Sequence, residues 1–241
     1  MTASIDNFSK HIMSVCPQLT PVEMEIAVRD AAKHFCEEAR VYQREIGRLD
    51  LKRGVSEYEL DGEMLPSDLR ESSGRAMMDV IEIKAMRNTE GLKMIGKSFD
   101  EMDSLMRGRW YALRGQTLED HEKCEETPTI YVPTGRNKFI VYAQPKEGDY
   151  LTNILVALRP AEGTRVFPDD FFDEYYQVIV SGALIGLCSQ SKKPYFQPDV
   201  VQEHRGKYNS LRGKYKRLGR TRFFGGSLEA DFSRSTFIGR R

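Results

Sequence analysis

The sequence has 241 residues and a mass of 27.7 kDa, which allows one large domain or two small ones with a substantial core. Hydrophobic residues make up 40% and charged residues 30%, as is ordinary for a soluble globular protein. No apolar run approaches the roughly 18 residues of a membrane span, and the opening MTASIDNFSKHIM has no signal-peptide stretch, so we expect synthesis in a cytoplasm and no membrane partner.

The formal net charge is zero, with 36 basic and 36 acidic residues, but the charges are unevenly distributed. Residues 201–241 contain 11 Lys/Arg and 3 Asp/Glu, a net of +8, so the first 200 residues carry −8 (25 basic, 33 acidic). A basic C-terminal end on an acidic body predicts contact with an acidic partner, which is another protein, a neighbouring copy or nucleic acid.

Cysteines and histidines are scattered along the chain. The cysteines are Cys16, Cys36, Cys124 and Cys188, and the histidines are His11, His34, His121 and His204. No C-x-x-C pair is present, so we expect free thiols and neither a disulfide framework nor a zinc site. No G-x-S-x-G elbow or other local signature of nucleophilic catalysis accompanies the histidines. We expect no catalytic residues, no metal and no cofactor.

The first clear element is a helix that begins at TPVE. Thr20 is a good N-cap, Pro21 suits the first helical position and Glu23 completes a capping box. Apolar residues then recur at steps of three and four, at Met24, Val28, Ala31, Phe35, Ala39, Tyr42 and Ile46. This period predicts one amphipathic helix of about 25 residues.

After residue 47 the pattern becomes that of strands. RLDLKRGVSEYEL predicts a hairpin, and AMMDVIEIKAMR predicts a further strand. TIYVP, KFIVYAQP and LTNILVALRP predict three more strands, and because no crossover helix fits between them we expect neighbours to be antiparallel.

Helical patterns return after residue 168. PDDFFDEYYQVIVSGALIGLC predicts a helix that is apolar on almost every side, and residues 198–217 predict a basic, polar helix. The fold class is therefore α+β: a helical bundle built from N- and C-terminal helices with an inserted antiparallel β module and an extended C-terminal arm. The predicted boundaries are 1–46 for the first segment and helix, 47–160 for the β module, 161–218 for the C-terminal helices and 219–241 for the arm.

Residues 91–98, GLKMIGKS, match the phosphate-loop pattern G-x-x-x-x-G-K-[ST] from Gly91 to Ser98. The surroundings favour a structural interpretation, because the four x positions hold no glycine, the following helix is short and the later strands lack alternating helices. Ser98 and Glu101 have the spacing of a capping box. A nucleotide-binding protein remains as an alternative.

The order of segments resembles that of head-to-tail adaptor (head-completion) proteins of tailed bacteriophages. CPQLTPVEMEIAVRDAAKHFCEEARVYQREI is similar to the opening helix of that family, with matches at Cys16, Pro17, Ala27, Arg29, Ala31, Ala32, Phe35, Cys36 and Tyr42. LVALRPAEGTRVFPDDFFDEYYQVIVSGALIGL is similar to its strand and core helix, and a basic helix and an arm follow. The resemblance covers roughly residues 15–220, but the region 88–127 does not align and lacks the family's aromatic P-x-Y-Y pair.

The resemblance implies a structural virion protein without enzymatic activity. Such proteins are made in the host cytoplasm and form a ring, typically dodecameric, under the portal protein at the head-tail junction of the virion. They meet a downstream tail or nozzle protein, and DNA passes through the ring without sequence-specific binding. The expected portal-docking residues are Arg220, Arg222, Phe223, Phe224, Phe232, Arg234, Phe237 and Ile238. The expected subunit-packing residues are Phe171, Tyr175, Ile179, Ala183 and Leu187. A tail tube or tail completion protein of the same virion is the alternative within this class.

Overall fold

The computed structural model describes residues 2–98, 100–101, 127–142 and 145–223, with side chains up to residue 219. Within these residues the protein is α+β, with four helices and three sheets. The helices are α1 (Ser9–Val15), α2 (Pro21–Ala39), α3 (Asp169–Cys188) and α4 (Pro198–Phe223). The strands are β1 (Thr2–Ser4), β2 (Gln43–Ile46), β3 (Leu49–Asp50), β4 (Glu57–Glu59), β5 (Met78–Arg87), β6 (Ile95–Gly96), β7 (Ile130–Pro133), β8 (Lys138–Tyr142), β9 (Tyr150–Pro160) and β10 (Val166–Pro168).

Helix α2 begins as its sequence predicts and ends earlier. The Thr20 side chain accepts from the N–H of Glu23 and the Glu23 carboxylate accepts from the N–H of Thr20, which confirms the capping box. The predicted continuation to residue 46 is wrong. Arg40 adopts a left-handed conformation with φ 49°, and Gln43–Ile46 then forms β2, whose pairing with β9 replaces the helical hydrogen bonds.

The largest sheet is organised around β9. On one side β9 pairs with β5 over almost its whole length, and on the other side it pairs first with β3 and then with β2. All three pairings are antiparallel. Asn153, between the stretches that pair with β3 and β2, has a positive φ of 48°. This sheet lies against α2, where Arg159 of β9 pairs with Glu37.

A second sheet has the order β4-β8-β7-β6, and a short third sheet joins β1 to β10. The antiparallel pairing of β7 with β8 confirms the expectation for that neighbouring pair, but β6 pairs with β7 in parallel. The predicted hairpin over residues 48–60 is wrong, because β3 pairs with β9 and β4 with β8. Strands β8 and β9 also lie in different sheets, although they follow one another closely in the chain.

Helices α2, α3 and α4 pack together through aromatic rings. Tyr175 of α3 lies between Phe35 of α2 and Tyr215 of α4, with ring centroids 5.4 and 5.0 Å away. The buried residues of these helices and of the two larger sheets belong to one continuous hydrophobic core. The strands over residues 47–160 therefore share their core with the helices.

The last helix is longer than predicted and includes the first residues of the predicted arm. Its backbone remains helical to Phe223. Gly219 is buried against the end of α2, and its carbonyl accepts a hydrogen bond from Gln43 Nε2 at 2.8 Å. The boundary predicted at residue 219 therefore falls inside a helix that is packed on the rest of the chain.

Candidate functional site

The phosphate-loop match at residues 91–98 forms part of a sheet edge. The N–H groups of Ile95 and Lys97 donate to the carbonyls of Thr129 and Tyr131, at 2.9 and 3.0 Å. A phosphate loop uses its backbone N–H groups to surround the phosphates, and these two are already occupied by the neighbouring strand. The local geometry thus disfavours a nucleotide site at this position.

The end of the same segment is a helix cap, as predicted. The Ser98 N–H donates to Glu101 Oε2 at 2.9 Å, and the Glu101 N–H donates to Ser98 Oγ at 3.2 Å. The Ser98 N–H and the nearby charge of Lys97 lower the pKa of the Glu101 carboxyl. The Glu101 carboxylate therefore interacts with both Ser98 and Lys97. Lys97 Nζ lies 3.8 Å from Glu101 Oε1.

The residues predicted to pack between subunits lie inside the chain. Phe171, Tyr175, Ile179, Ala183 and Leu187 are each at most 2% exposed. Their helix, α3, is covered by α2 and α4, so these side chains pack inside the chain, and of the five Leu187 also lines a groove at the surface. The sequence prediction is corrected on this point: the five residues form the core of the helical layer.

The predicted docking arm is described only in part. Arg220, Arg222 and Phe223 continue the backbone of α4. The remaining members lie outside the described residues: Phe224, Phe232, Arg234, Phe237 and Ile238.

Helix α4 presents a basic face. Residues 204–223 include eight Lys/Arg and no Asp/Glu. The inner face packs on α2 and α3 through Tyr208 and Gly219, whereas Lys207, Lys214 and Arg217 are exposed on the outer face. The basic C-terminal end predicted from the charge distribution is therefore helical up to Phe223.

A cavity of about 500 Å³ lies between α1, α3 and α4. The residues with hydrogen-bonding side chains that line it are His11, Tyr176, Gln177, Ser181, His204, Lys207 and Ser210. Within the described part of the chain, no carboxylate lines this cavity. The histidines are scattered along the sequence, and only the packing of α1 against α3 and α4 brings His11 and His204 to one cavity.

The polar groups of this cavity interact with one another. His204 Nδ1 lies 3.4 Å from the hydroxyl of Ser181, whose side chain is only 4% exposed. Burial, followed by the positive charges of Lys207 and His11, lowers the pKa of His204. The cavity thus brings hydrogen-bond donors together with two imidazoles, and its lysine, Lys207, pairs with Glu203.

An apolar groove of about 610 Å³ runs between α2, α3 and α4 on another side of the helical layer. Its floor is closed by the near contact of Gly182 with Ala31, where an added Cβ would lie 3.1 Å from the alanine methyl. Ile26 on its rim is 46% exposed, and Val22, one turn earlier on α2, is 64% exposed. Exposed large apolar side chains beside a groove are typical of a protein contact surface.

A cavity of about 890 Å³ near the end of α2 is lined by charges of both signs. Glu82 pairs there with Arg40, and with Lys84 at 2.8 Å. These opposite charges compensate one another, and the cavity offers no concentrated charge of one sign for a ligand.

The buried cysteines are free thiols, as predicted for three of the four. Cys16 Sγ and Cys188 Sγ lie 3.5 Å apart, and burial, with the neighbouring Cys188, raises the pKa of Cys16 to about 12. Cys124 lies outside the described residues. The core environment makes the described thiols poor nucleophiles at neutral pH.

The described ranges contain neither a candidate metal site nor a candidate membrane span. No cluster of three or more His, Cys, Asp or Glu side chains among those residues is arranged to hold a metal ion. None of the four described helices combines the length and the apolar character needed to cross a bilayer.

No protein-family model and no curated protein matches this sequence.

Proposed function

We propose that this chain is a structural virion protein, a head-to-tail adaptor that forms a ring of identical copies beneath the portal of a tailed bacteriophage. The observation that carries the proposal is α4, a helix that packs on the protein by one face, exposes Lys207, Lys214 and Arg217 on the other, and has no acidic residue from 204 onward. The helix leads directly into the aromatic and arginine-rich segment that resembles the docking arm of the adaptor family. Arginine pairs with carboxylates and aromatic rings supply buried contact area, so the end of α4 from Arg220 and the segment that follows it suit an acidic protein partner.

The contact between neighbouring copies is assigned to the apolar groove of the helical layer. Ile26 and Val22 are too exposed for core residues and lie beside that groove. A ring closes when a second surface of each subunit covers such a patch on the next subunit. Under this proposal α2, α3 and α4 form the bundle that faces neighbouring copies, and the strands over residues 47–160 form the module that faces the next tail component.

A tail tube or tail completion protein of the same virion is the second candidate in this class. The order of helix, strands, core helix and basic helix over residues 15–220 favours the adaptor, because it is the adaptor family that this order resembles. The nucleotide-binding alternative is less favourable, because residues 91–98 use their backbone donors within the sheet.

Portal docking is tested by mixing the purified chain with capsids that carry the portal protein of the same virion and measuring co-sedimentation. The full chain is expected to bind, with a ring at the portal vertex in electron micrographs. A chain ended after Phe223 is expected to keep its fold, because the packed part of α4 is retained, and to lose binding. A cut after residue 218 is the wrong test, because it removes the Gly219 contact with Gln43.

Ile26→Asp separates ring formation from docking. The substitution puts a charge on the proposed subunit contact while the arm remains intact, so single copies are expected to reach the portal without completing the ring. Lys192→Asp, on an exposed loop, is the control and should leave the ring complete. Binding of the chain ended after Phe223 at the occupancy of the full chain would refute the docking role of the arm, and attachment to isolated tails alone would favour the tail-tube alternative.

A further inference from the structure

We propose that the cavity between α1, α3 and α4 binds a backbone phosphate of duplex DNA, and that the outer edge of α4 extends this contact along the strand. The inference goes beyond ring formation and portal docking. It concerns a ligand that can be measured without any other virion protein.

The cavity has the composition of a phosphate site. Its donors come from three helices and include His11 from α1, Gln177 and Ser181 from α3, and His204, Lys207 and Ser210 from α4. A phosphate offers several acceptor oxygens and negative charge, so hydroxyls, imidazoles and an ammonium group that converge on one space match it. Hydrogen bonds to a charged group inside a partly enclosed space are stronger than those at an open surface.

The edge of α4 continues from the cavity. Lys207, Lys214 and Arg217 follow one another at steps of seven and three residues, which places them along one edge of the helix over about 15 Å. Gly206 and Gly213 lie on the same outer side, and nothing in the described structure approaches within 4 Å of the position of a Cβ at either residue. The missing side chains leave room for a bulky polyanion to come close to the helix.

A repeated cationic edge favours DNA over an acidic protein surface as the occupant. Duplex DNA presents one negative charge for about every 1.7 Å of its axis, so several phosphates meet the edge wherever the helix lies along the backbone. A protein surface presents isolated carboxylates that match one such lysine at a time. No base-reading contact is implied, so the binding is expected to be independent of sequence.

Protonation couples to this site through the histidines. The groups that face His204 are His11 of α1, Tyr176 of α3, and Glu203 and Lys207 of α4, and Glu203 pairs with Lys207 at 2.5 Å. A bound phosphate stabilises the imidazolium form and therefore raises the pKa of His204. Binding of the phosphate is then strongest at low pH and weakens as the pH rises through the raised pKa of His204.

The experiment measures fluorescence anisotropy of a labelled duplex of about 20 base pairs with the full chain, between about 50 and about 200 mM salt. Lys207→Glu is expected to weaken binding about tenfold at low salt and to reduce the salt slope by about 1. Lys192→Glu makes the same change of charge at an exposed residue outside the cavity, and it should change affinity by less than about twofold. Inorganic phosphate at about 20 mM, at constant ionic strength, should compete with the duplex.

The pH dependence is measured with His11→Gln and His204→Gln. The wild-type chain should bind more tightly at about pH 5.5 than at about pH 8, and each variant should reduce that difference. His11 is exposed, so its variant tests the idea even if His204→Gln fails to fold. No binding of duplex, or equal losses in Lys207→Glu and Lys192→Glu, would overturn the proposal. Binding of inorganic phosphate, measured by calorimetry, without binding of duplex would assign the cavity to a free phosphate and overturn the DNA part. Binding of the portal protein alone through Lys207 would assign it to an acidic protein.

Discussion

Two sulfur atoms, Cys16 Sγ and Cys188 Sγ, lie 3.5 Å apart in the core where α1 and α3 end. Both side chains are fully buried, and burial is the largest cause of the raised pKa of each thiol. Cys36, buried in α2, has its pKa raised by the same effect. A thiol that stays protonated and is covered by apolar side chains reacts slowly with disulfide reagents.

We therefore predict that these three thiols are unreactive in the native protein. Ellman's reagent at about pH 8 should report less than about 0.2 thiols per chain for a Cys124→Ser variant, and three after denaturation in guanidinium chloride. Using Cys124→Ser ensures that every thiol counted belongs to a described residue. Rapid modification of a native thiol would show that the core around Cys16 or Cys36 opens far more easily than its burial implies.

At the residue scale, the sequence predicts interactions between residues a few positions apart. It does not predict which distant residues become neighbours in the fold. Thr20 and Ser98 were recognised as helix caps because a cap is formed by residues three positions apart. The cavity that joins His11 to His204 was missed, because the two residues are almost two hundred positions apart and only the packing of three helices brings them together. No local sequence signal could have identified it.

The end of α4 depends on one residue without a side chain. A Cβ added at Gly219 would lie 2.9 Å from the carbonyl oxygen of Ala39 and 3.2 Å from that of Arg40. These are backbone atoms at the end of α2, where the chain turns towards β2, and they cannot move without disturbing that turn. The Gln43 side chain also donates to the Gly219 carbonyl.

We predict that Gly219→Ala lowers the free energy of unfolding by about 1–3 kcal/mol, because the methyl group overpacks this contact. Gly213→Ala is the matched control on the same helix, where the position of the Cβ is open. It should raise the free energy of unfolding by up to about 1 kcal/mol, because alanine is the better helix former. Urea denaturation followed by circular dichroism measures both, and equal effects of the two substitutions would contradict the close packing at Gly219.

At the element scale, the hydrophobic pattern predicts most of the helices and strands but not which strands pair. Strands β5, β7, β8 and β9 and the core helix α3 lie where their patterns indicate. The ends and pairings were harder, because the apolar spacing of α2 continues to Ile46 while a left-handed Arg40 and the pairing of β2 with β9 end the helix. Which strands pair is decided by long-range contacts, so β8 and β9 could not be separated into two sheets from the sequence alone.

The whole molecule is held together by a core that crosses the predicted segment boundaries. Strand β9 lies within the predicted β module and packs against α2, the helix of the predicted N-terminal segment. Most of the buried apolar residues of α2, α3 and both larger sheets form one cluster. Because neither the sheet nor the helices can bury their apolar faces without the other, we expect them to unfold together.

We predict a single cooperative unfolding transition for these elements. Leu184→Ala in α3 and Ile154→Ala in β9 each remove a side chain that is 0% exposed, and each should lower the free energy of unfolding by about 2–5 kcal/mol. Both substitutions should shift the same peak in differential scanning calorimetry, with equal calorimetric and van 't Hoff enthalpies, because helix and sheet share one core. Ile26→Ala, at an exposed position of α2, is the control and should leave the peak within about 2 °C. Two separate peaks, of which Leu184→Ala moves one and Ile154→Ala the other, would show instead that the strands form an independent module, as the segment boundaries in the sequence suggest.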